Sequence, residues 1–311
     1  MKKLLYILPL VTLLWACGDS EEQEQEVIEL EDQADRLGYA LGAINAQTMK
    51  QGGVPNFDKL KVDLMVQGFA DNLNNNDVTD CEATIRSLYG PYMQDFDTNY
   101  LDAGSTCFGR TMGSTFYKDM DRMQGLDKID IEMVKIGFRH GLEGNDTLIE
   151  DPEKREMVQN FIVDLNEKLG DVMLAEAAKI EGVQKFDNGI IIQTIEEGSG
   201  AMPAETDDVE VEYILTGPTG DTIQSSYAMK QMTGETKPVA LGLDGGVIPA
   251  WSFGLPKMKK GGKYRMWVPW QLAYGEQGGK QSLCFFIEFV NFGPKGTLYK
   301  PEPMPQNYQG Y

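Results

Sequence analysis

The sequence predicts an α+β protein. An all-helical N-terminal region, made of two helical-hairpin repeats and a long stalk helix, precedes an antiparallel β-domain built around a short helix. Three observations carry this expectation. Residues 58–77 (DKLKVDLMVQGFADNLNNND) and 127–146 (DKIDIEMVKIGFRHGLEGND) align without a gap. An apolar stripe at helical spacing runs on from Pro152. Beyond Gly182 the spacing changes to alternation, at Val209–Leu215 and Leu283–Val290, with turn residues between.

Taken in order, the chain opens with Lys2-Lys3, an apolar run from Leu4 to Leu14, and Ala16 before Cys17. A charged start, a short apolar core and a small residue at the cleavage position read as a signal peptide over residues 1–16. The run is shorter than the ~20 apolar residues that span a bilayer, and Pro9 interrupts it. Cys17 directly after Ala16 resembles a bacterial lipoprotein box, which implies lipidation at Cys17 and a membrane anchor. The other reading is an ordinary secreted protein with an incidental cysteine. Residues 17–34 are acids and glutamines without apolar periodicity and read as a solvated tether. The formal charge of −20 becomes −22 once Lys2 and Lys3 leave with the leader, which argues against nucleic acid as a partner.

Repeat 1 is expected over residues 35–101 and repeat 2, with the stalk, over 102–182. The aligned segments share Gly68-Phe69 with Gly137-Phe138, Leu73 with Leu142, and Asn76-Asp77 with Asn145-Asp146. An earlier helix also recurs, as Leu37–Gly42 and Gly104–Gly109. Each unit is expected to be a helical hairpin. A mid-helix glycine costs about 1 kcal/mol against alanine, so Gly68 and Gly137 point to close approach of a neighbouring helix. The duplication predicts that the repeats pair inside one chain, giving a monomer with an internal pseudo-dimer. The stalk is expected from Asp151, as cap, to about Ile180, roughly 40 Å long, with Gly170 a possible bend. Cys81 and Cys107 both fall in helical patterns, and spacing does not decide whether they pair.

The β-domain is expected over residues 183–294, after which Pro301, Pro303 and Pro305 mark a flexible tail over 295–311. Its motifs come in a fixed order: Tyr213 in a strand, the turn Gly217–Asp221, Ser225-Ser226, Val247-Ile248-Pro249-Ala250-Trp251, Met258 with Gly261, Ala273-Tyr274-Gly275, and Phe285 with Glu288. This order resembles the FKBP-type peptidyl-prolyl isomerases, which implies an antiparallel half-barrel wrapped on the short helix. The helical unit, with Tyr39-Ala40-Leu41-Gly42 and Gly68-Phe69, resembles the N-terminal arm of isomerases related to the macrophage infectivity potentiator.

The resemblance implies catalytic residues Tyr213, Trp251 and Tyr274. Trp251 would be the cleft floor and Tyr274 a hydrogen-bond donor, with the Ile248 N–H a second. It implies substrate contacts from Ile223, Gln224, Val247, Ile248 and Phe285. Proline-containing unfolded or exported polypeptides would be the partners. No metal or other cofactor is called for, because a dry apolar cleft that favours the twisted amide suffices. Ile223 and Gln224 stand where the family usually has an aromatic and an aspartate, Ala250 replaces a glycine, and the loop 276–282 is short. Two functions follow: a lipid-anchored isomerase of the bacterial envelope, at the outer membrane and facing either side, or a catalytically weak chaperone. The lone His140 is expected on a solvated helix face and not in catalysis.

Overall fold

The computed structural model describes residues 28–74 and 77–300. The expected signal peptide, Cys17, the tether up to residue 27 and residues 301–311 lie outside the described residues. Among the described residues six α-helices precede the sheet: α1 (Gln33–Gln51), α2 (Val62–Asp71), α3 (Thr79–Tyr89), α4 (Leu101–Arg122), α5 (Ile131–Glu143) and α6 (Asp151–Ala177). Asp32 caps α1 by accepting from the Asp35 N–H at 3.0 Å, and Asp130 caps α5 in the same way.

The repeats are not closed hairpins, which corrects the expectation. Their helices pair across the duplication instead, α1 on α5 and α2 on α4. The reason is reciprocal close approach at glycines. A β-carbon at Gly42 would lie 2.0 Å from Val134 O and 2.7 Å from Phe138 N. One at Gly109 would lie 1.9 Å from Met65 O and 2.8 Å from Phe69 N. Val134 and Phe138 are the residues that align with Met65 and Phe69, so the two crossings are copies of each other. Gly68 and Gly137 return the contact, since β-carbons there would lie 2.2 Å from Thr106 O and 2.1 Å from Tyr39 O. At the junction of the two copies Phe69 and Phe138 stack at 3.9 Å with rings nearly parallel.

Cys81 and Cys107 are joined in a disulfide that fastens α3 to α4, with Cα atoms 5.0 Å apart. In chain-entropy terms a loop of this size is worth about 3–4 kcal/mol. His140 is not solvated, as expected from its polar face, but half-buried. Its ring meets Tyr39 edge-on, and Nδ1 lies 3.2 Å from the Tyr39 hydroxyl.

α6 begins from Glu150 as N-cap and not from Asp151. The Asp151 carboxylate is instead taken by Lys154, at 2.8 Å, and Gln47. α6 is packed along its length. Its first half packs Met157, Val158 and Phe161 on the helical core, and its second half brings Met173, Leu174 and Ala177 against Ile191 and Trp267 of the β-domain. Gly170 marks another close approach, since a β-carbon there would lie 2.6 Å from Ser282 Oγ.

The β-domain contains β1 (Gln184–Lys185), β2 (Ile191–Glu196), β3 (Asp208–Thr216), β4 (Thr222–Ser225), β5 (Val239–Gly242), β6 (Lys263–Val268) and β7 (Leu283–Gly293), with helices α7 (Ser226–Thr233) and α8 (Pro249–Gly254). All pairings are antiparallel, in the order β1-β2-β6-β7-β3-β4, and β5 also pairs with β3. Alternation turns Val209, Val211, Tyr213 and Leu215 of β3, and Leu283, Phe285, Ile287 and Phe289 of β7, onto one concave face. α8 lies in that face, with Ala250 and Trp251 buried among Tyr264, Met266 and Ile287. The α+β architecture expected from the sequence is the one found.

Residues 295–300, expected to belong to a flexible tail, are held. The Asp208 carboxylate accepts from the Leu298 and Tyr299 N–H groups at 3.0 and 2.9 Å, and Lys295 pairs with Asp244 at 2.5 Å.

Candidate active site

The site is assembled from β3, β4, β5, β7, the segment that opens α8, and the loop after β6. Ile248 is the N-cap of α8 in extended conformation, and Pro249 follows where a helix has no use for the missing N–H. That entry points Trp251 into the concave face, 4% exposed. Tyr213 meets the indole edge-on at 5.3 Å between centroids, and Phe285 does so from the other side at 5.2 Å. The β3–β7 register pairs Leu215 with Phe285 and Tyr213 with Ile287, so Tyr213 and Phe285 are diagonal neighbours on one face. Edge-to-face packing suits aromatic quadrupoles and makes the three rings a rigid unit.

Around this floor opens a cleft of about 470 Å³, lined by Tyr213, Gln224, Leu241, Gly245, Gly246, Val247, Ile248, Trp251, Tyr274 and Phe285. Seven residues singled out in the sequence are thereby brought together, Ile223 being the exception. It is 50% exposed and absent from the lining. The physical reason is the strand period: Gln224 faces the cleft, so its neighbour in β4 points to the other face. Gln224 itself is exposed, its amide 3.6 Å from the Met229 sulfur.

The polar groups at the cleft are placed differently. Burial pushes the Tyr213 phenol above its ordinary pKa, and the nearby Tyr274 adds to this, so Tyr213 keeps its proton through neutral pH. Tyr274 stands at the rim, 55% exposed. The Trp251 indole N–H is buried without an acceptor among the described residues.

Further residues support the cleft without lining it. Ser226, fully buried, accepts from the Tyr213 N–H at 2.9 Å and donates to Glu212 at 2.6 Å, while Lys230 pairs with the same carboxylate. The Ser225-Ser226 motif is thus structural, with Ser225 capping α7 and Ser226 fixing the backbone of Tyr213. Leu241 lines the cleft from β5, and alternation from Val239 is the cue that places it there.

The Tyr274 loop is tied to the helical region. Gly275 turns the chain at φ 64°, ψ −150°, a conformation reserved for glycine. Gly278 packs on Tyr274, where a β-carbon would lie 2.5 Å from Tyr274 Cβ. The next carbonyl, of Gly279, accepts from Asn166 of α6 at 3.0 Å, and Lys280 reaches Glu167 at 3.3 Å. Among the described residues, Asp80, Cys81 and Cys107 form a cluster of metal-ligand type, but its two sulfurs are bonded to each other.

Residues 200–290 match the family model of the FKBP-type peptidyl-prolyl cis-trans isomerases. The chain is 31% identical over 195 residues to the FKBP-type peptidyl-prolyl cis-trans isomerase FkpA of Aeromonas hydrophila, covering 58% of this chain and 70% of that one. It is 30% identical over 217 residues to a probable FKBP-type peptidyl-prolyl cis-trans isomerase of Haemophilus influenzae, covering 62% and 86%. To the outer membrane protein MIP of Legionella longbeachae it is 26% identical over 215 residues, covering 62% and 86%.

Proposed function

The chain belongs to the FKBP-type peptidyl-prolyl cis-trans isomerases, and from that premise we propose how its cleft turns over an X-Pro bond and where it works. The observation that carries the proposal is the three-ring floor of Trp251, Tyr213 and Phe285 beneath an apolar rim. Amide resonance sets a rotation barrier of ~18–20 kcal/mol. In the twisted amide the nitrogen loses conjugation and the charge separation of the planar form collapses. A dry, apolar enclosure therefore favours the twisted state over either planar isomer.

In this reading the proline ring sits on Trp251, between Val247, Ile248 and Phe285. Tyr274 donates to a substrate carbonyl from the rim, with the Ile248 N–H as second donor. Tyr213, protonated across the neutral range, keeps the far wall neutral. Gln224 supplies an amide at the edge where a carboxylate would put a full charge beside the reacting bond.

We further propose that the protein is lipid-anchored through Cys17 in the bacterial envelope, at the outer membrane, and assists folding of exported polypeptides. The Lys2-Lys3 leader and Ala16-Cys17 support this. So does the likeness to a relative named as an outer membrane protein. No helix among the described residues is long and apolar enough to cross a membrane. The reciprocal seams α1–α5 and α2–α4 support a monomer whose repeats pair within one chain.

Proline isomerisation of a peptide with an apolar residue before proline tests the catalytic reading. Trp251→Ala removes the floor and should lower kcat/KM by more than ten-fold. Gln224→Asp should raise it at equal folded fraction, because the twisted amide also differs from the planar one in charge distribution and a rim carboxylate adds polar stabilisation to the apolar floor. Wild type and Gln224→Asp both at background, with unfolded protein still bound, would replace the isomerase reading by that of a chaperone.

A further inference from the structure

The segment 295–300 that follows β7 is built against the cleft rim. Asp208 is 1% exposed, and a buried carboxylate is unfavourable unless hydrogen bonds satisfy it. Its partners come from the segment after β7. Burial alone would raise its pKa, but the N–H groups of Tyr299, Leu298, Gly296 and Thr297 outweigh that and hold it below the ordinary value. This clasp delivers the Tyr299 ring to the loop that walls the cleft. A β-carbon at Gly242 would lie 3.1 Å from Tyr299 Cδ1, and one at Gly246 3.9 Å from its Cε1. Gly246 lines the cleft, as do its neighbours Gly245 and Val247. Lys295, paired with Asp244, ties the same two segments a second time.

The sequence that leaves this clasp is Pro301-Glu302-Pro303-Met304-Pro305-Gln306-Asn307-Tyr308-Gln309-Gly310-Tyr311. It carries X-Pro bonds after Lys300, Glu302 and Met304, and the third alone has an apolar residue before proline. A wall of Leu241, Val247 and Ile248 prefers methionine there to a charged side chain. Pro305 is the sixth residue after Tyr299, a reach of up to ~20 Å. Trp251 is only five residues along the chain from Gly246, which Tyr299 approaches.

We propose that the cleft is the docking site of the chain's own segment 301–311, with Met304-Pro305 on Trp251 as an internal ligand that substrates must displace. The inference rests on the reading of this cleft as a proline site. A short tether gives an effective concentration in the millimolar range. A single X-Pro contact with a Kd of about 1 mM is then largely satisfied within the chain, raising the apparent KM for outside substrates by roughly two- to ten-fold. The clasp at Asp208 is the device that shortens the tether.

The test compares the full chain, the chain ending at Lys300, and Pro305→Ala in the full chain. Truncation there removes no described residue. A synthetic peptide of residues 301–311 is titrated into each by calorimetry, and isomerisation of a Met-Pro peptide is measured in parallel. The expected result is binding to the truncated chain, two- to ten-fold weaker binding to the full chain, and recovery in Pro305→Ala. KM should fall by the same factor on truncation while kcat stays unchanged.

Equal affinities in truncated and full chains, or no binding to the truncated chain, would overturn the proposal. An effect that grows with protein concentration would also overturn it, by placing the segment in a neighbouring molecule. A chain without isomerisation that still shows the affinity difference would refute the catalytic reading and leave the docking standing.

Discussion

Replacing Gly42 by alanine sets two effects of known sign against each other. In an ordinary helix interior the change stabilises by up to about 1 kcal/mol, through lower backbone entropy in the unfolded chain. At Gly42 the new methyl would sit 2.0 Å from Val134 O and 2.9 Å from Val134 C, both backbone atoms of α5. A rotamer change cannot relieve that clash, so α1 must withdraw from α5 by about 1 Å or more to reach ordinary contact. The seam that opens includes Tyr39, Ala43, Val134 and Phe138, all fully buried. On the order of 50 atom pairs at ~0.15 kcal/mol each, losing a quarter to a half of their attraction, forfeit about 2–4 kcal/mol. The net expectation is destabilisation by about 1–3 kcal/mol.

Urea unfolding followed by two probes measures it. Far-ultraviolet circular dichroism reports the helical region, and tryptophan fluorescence reports the β-domain, which contains Trp251, Trp267 and Trp270. The loss should appear in the first probe, and Gly109→Ala should reproduce it, because Gly109 meets Met65 and Phe69 as Gly42 meets Val134 and Phe138. A Gly42→Ala chain as stable as wild type, or more stable, would refute the reasoning that the seam needs glycine.

Two further expectations concern the β-domain. Asn166→Ala removes the bond to Gly279 O and should loosen the loop that carries Tyr274, lowering kcat/KM about three-fold with global stability nearly unchanged. Steady-state isomerisation at several substrate concentrations checks it, and kinetics identical to wild type would mean that α6 does not position Tyr274. Cys284 is held by burial at a pKa of about 11, above the ordinary thiol range. The neutral thiol is favoured in the folded state, so this contribution is complete below pH 9 and is lost as pH rises towards 11, by at most about 3 kcal/mol. Cys284→Ala should therefore flatten the alkaline fall in urea midpoint between pH 9 and 11. An unchanged slope would show that the thiol titrates normally.

The expectations that held and those that failed differ in what kind of information they required. Helices, strands and the duplication are written in local pattern, and the crossings at Gly68 and Gly137 could be anticipated because a mid-helix glycine has a local cost that needs a non-local reason. Which helix supplies that reason is not local. A hairpin and a swapped pair bury the same faces, and only the reciprocity of Gly42 with Val134 and Gly109 with Met65 distinguishes them. His140 was misplaced for a related reason: its partner Tyr39 lies on α1, 101 residues away, and reaches it only because α1 packs on α5.

The cleft was more legible than the helical region because its residues follow a family order, yet that order carries residue identity without strand register. Tyr213, Trp251 and Phe285 come together since each has a large apolar ring that the concave face can bury. Ile223 follows Gln224's motif equally well, but two adjacent strand residues cannot face one cleft, and the more polar of the two is the one that does. The groups that hold the site in place were silent for a different reason. Glu212, Asn166 and Asp208 are ordinary polar residues whose meaning is their partner: side chains of α7, a loop carbonyl, or N–H groups after β7. Ser226 holds the backbone of Tyr213 itself, and Asn166 holds the loop that follows Tyr274. The apolar floor determines what binds, while this polar support determines how rigidly Tyr213 and Tyr274 meet it. That division is why Asn166→Ala should alter kinetics where stability measurements would register almost nothing.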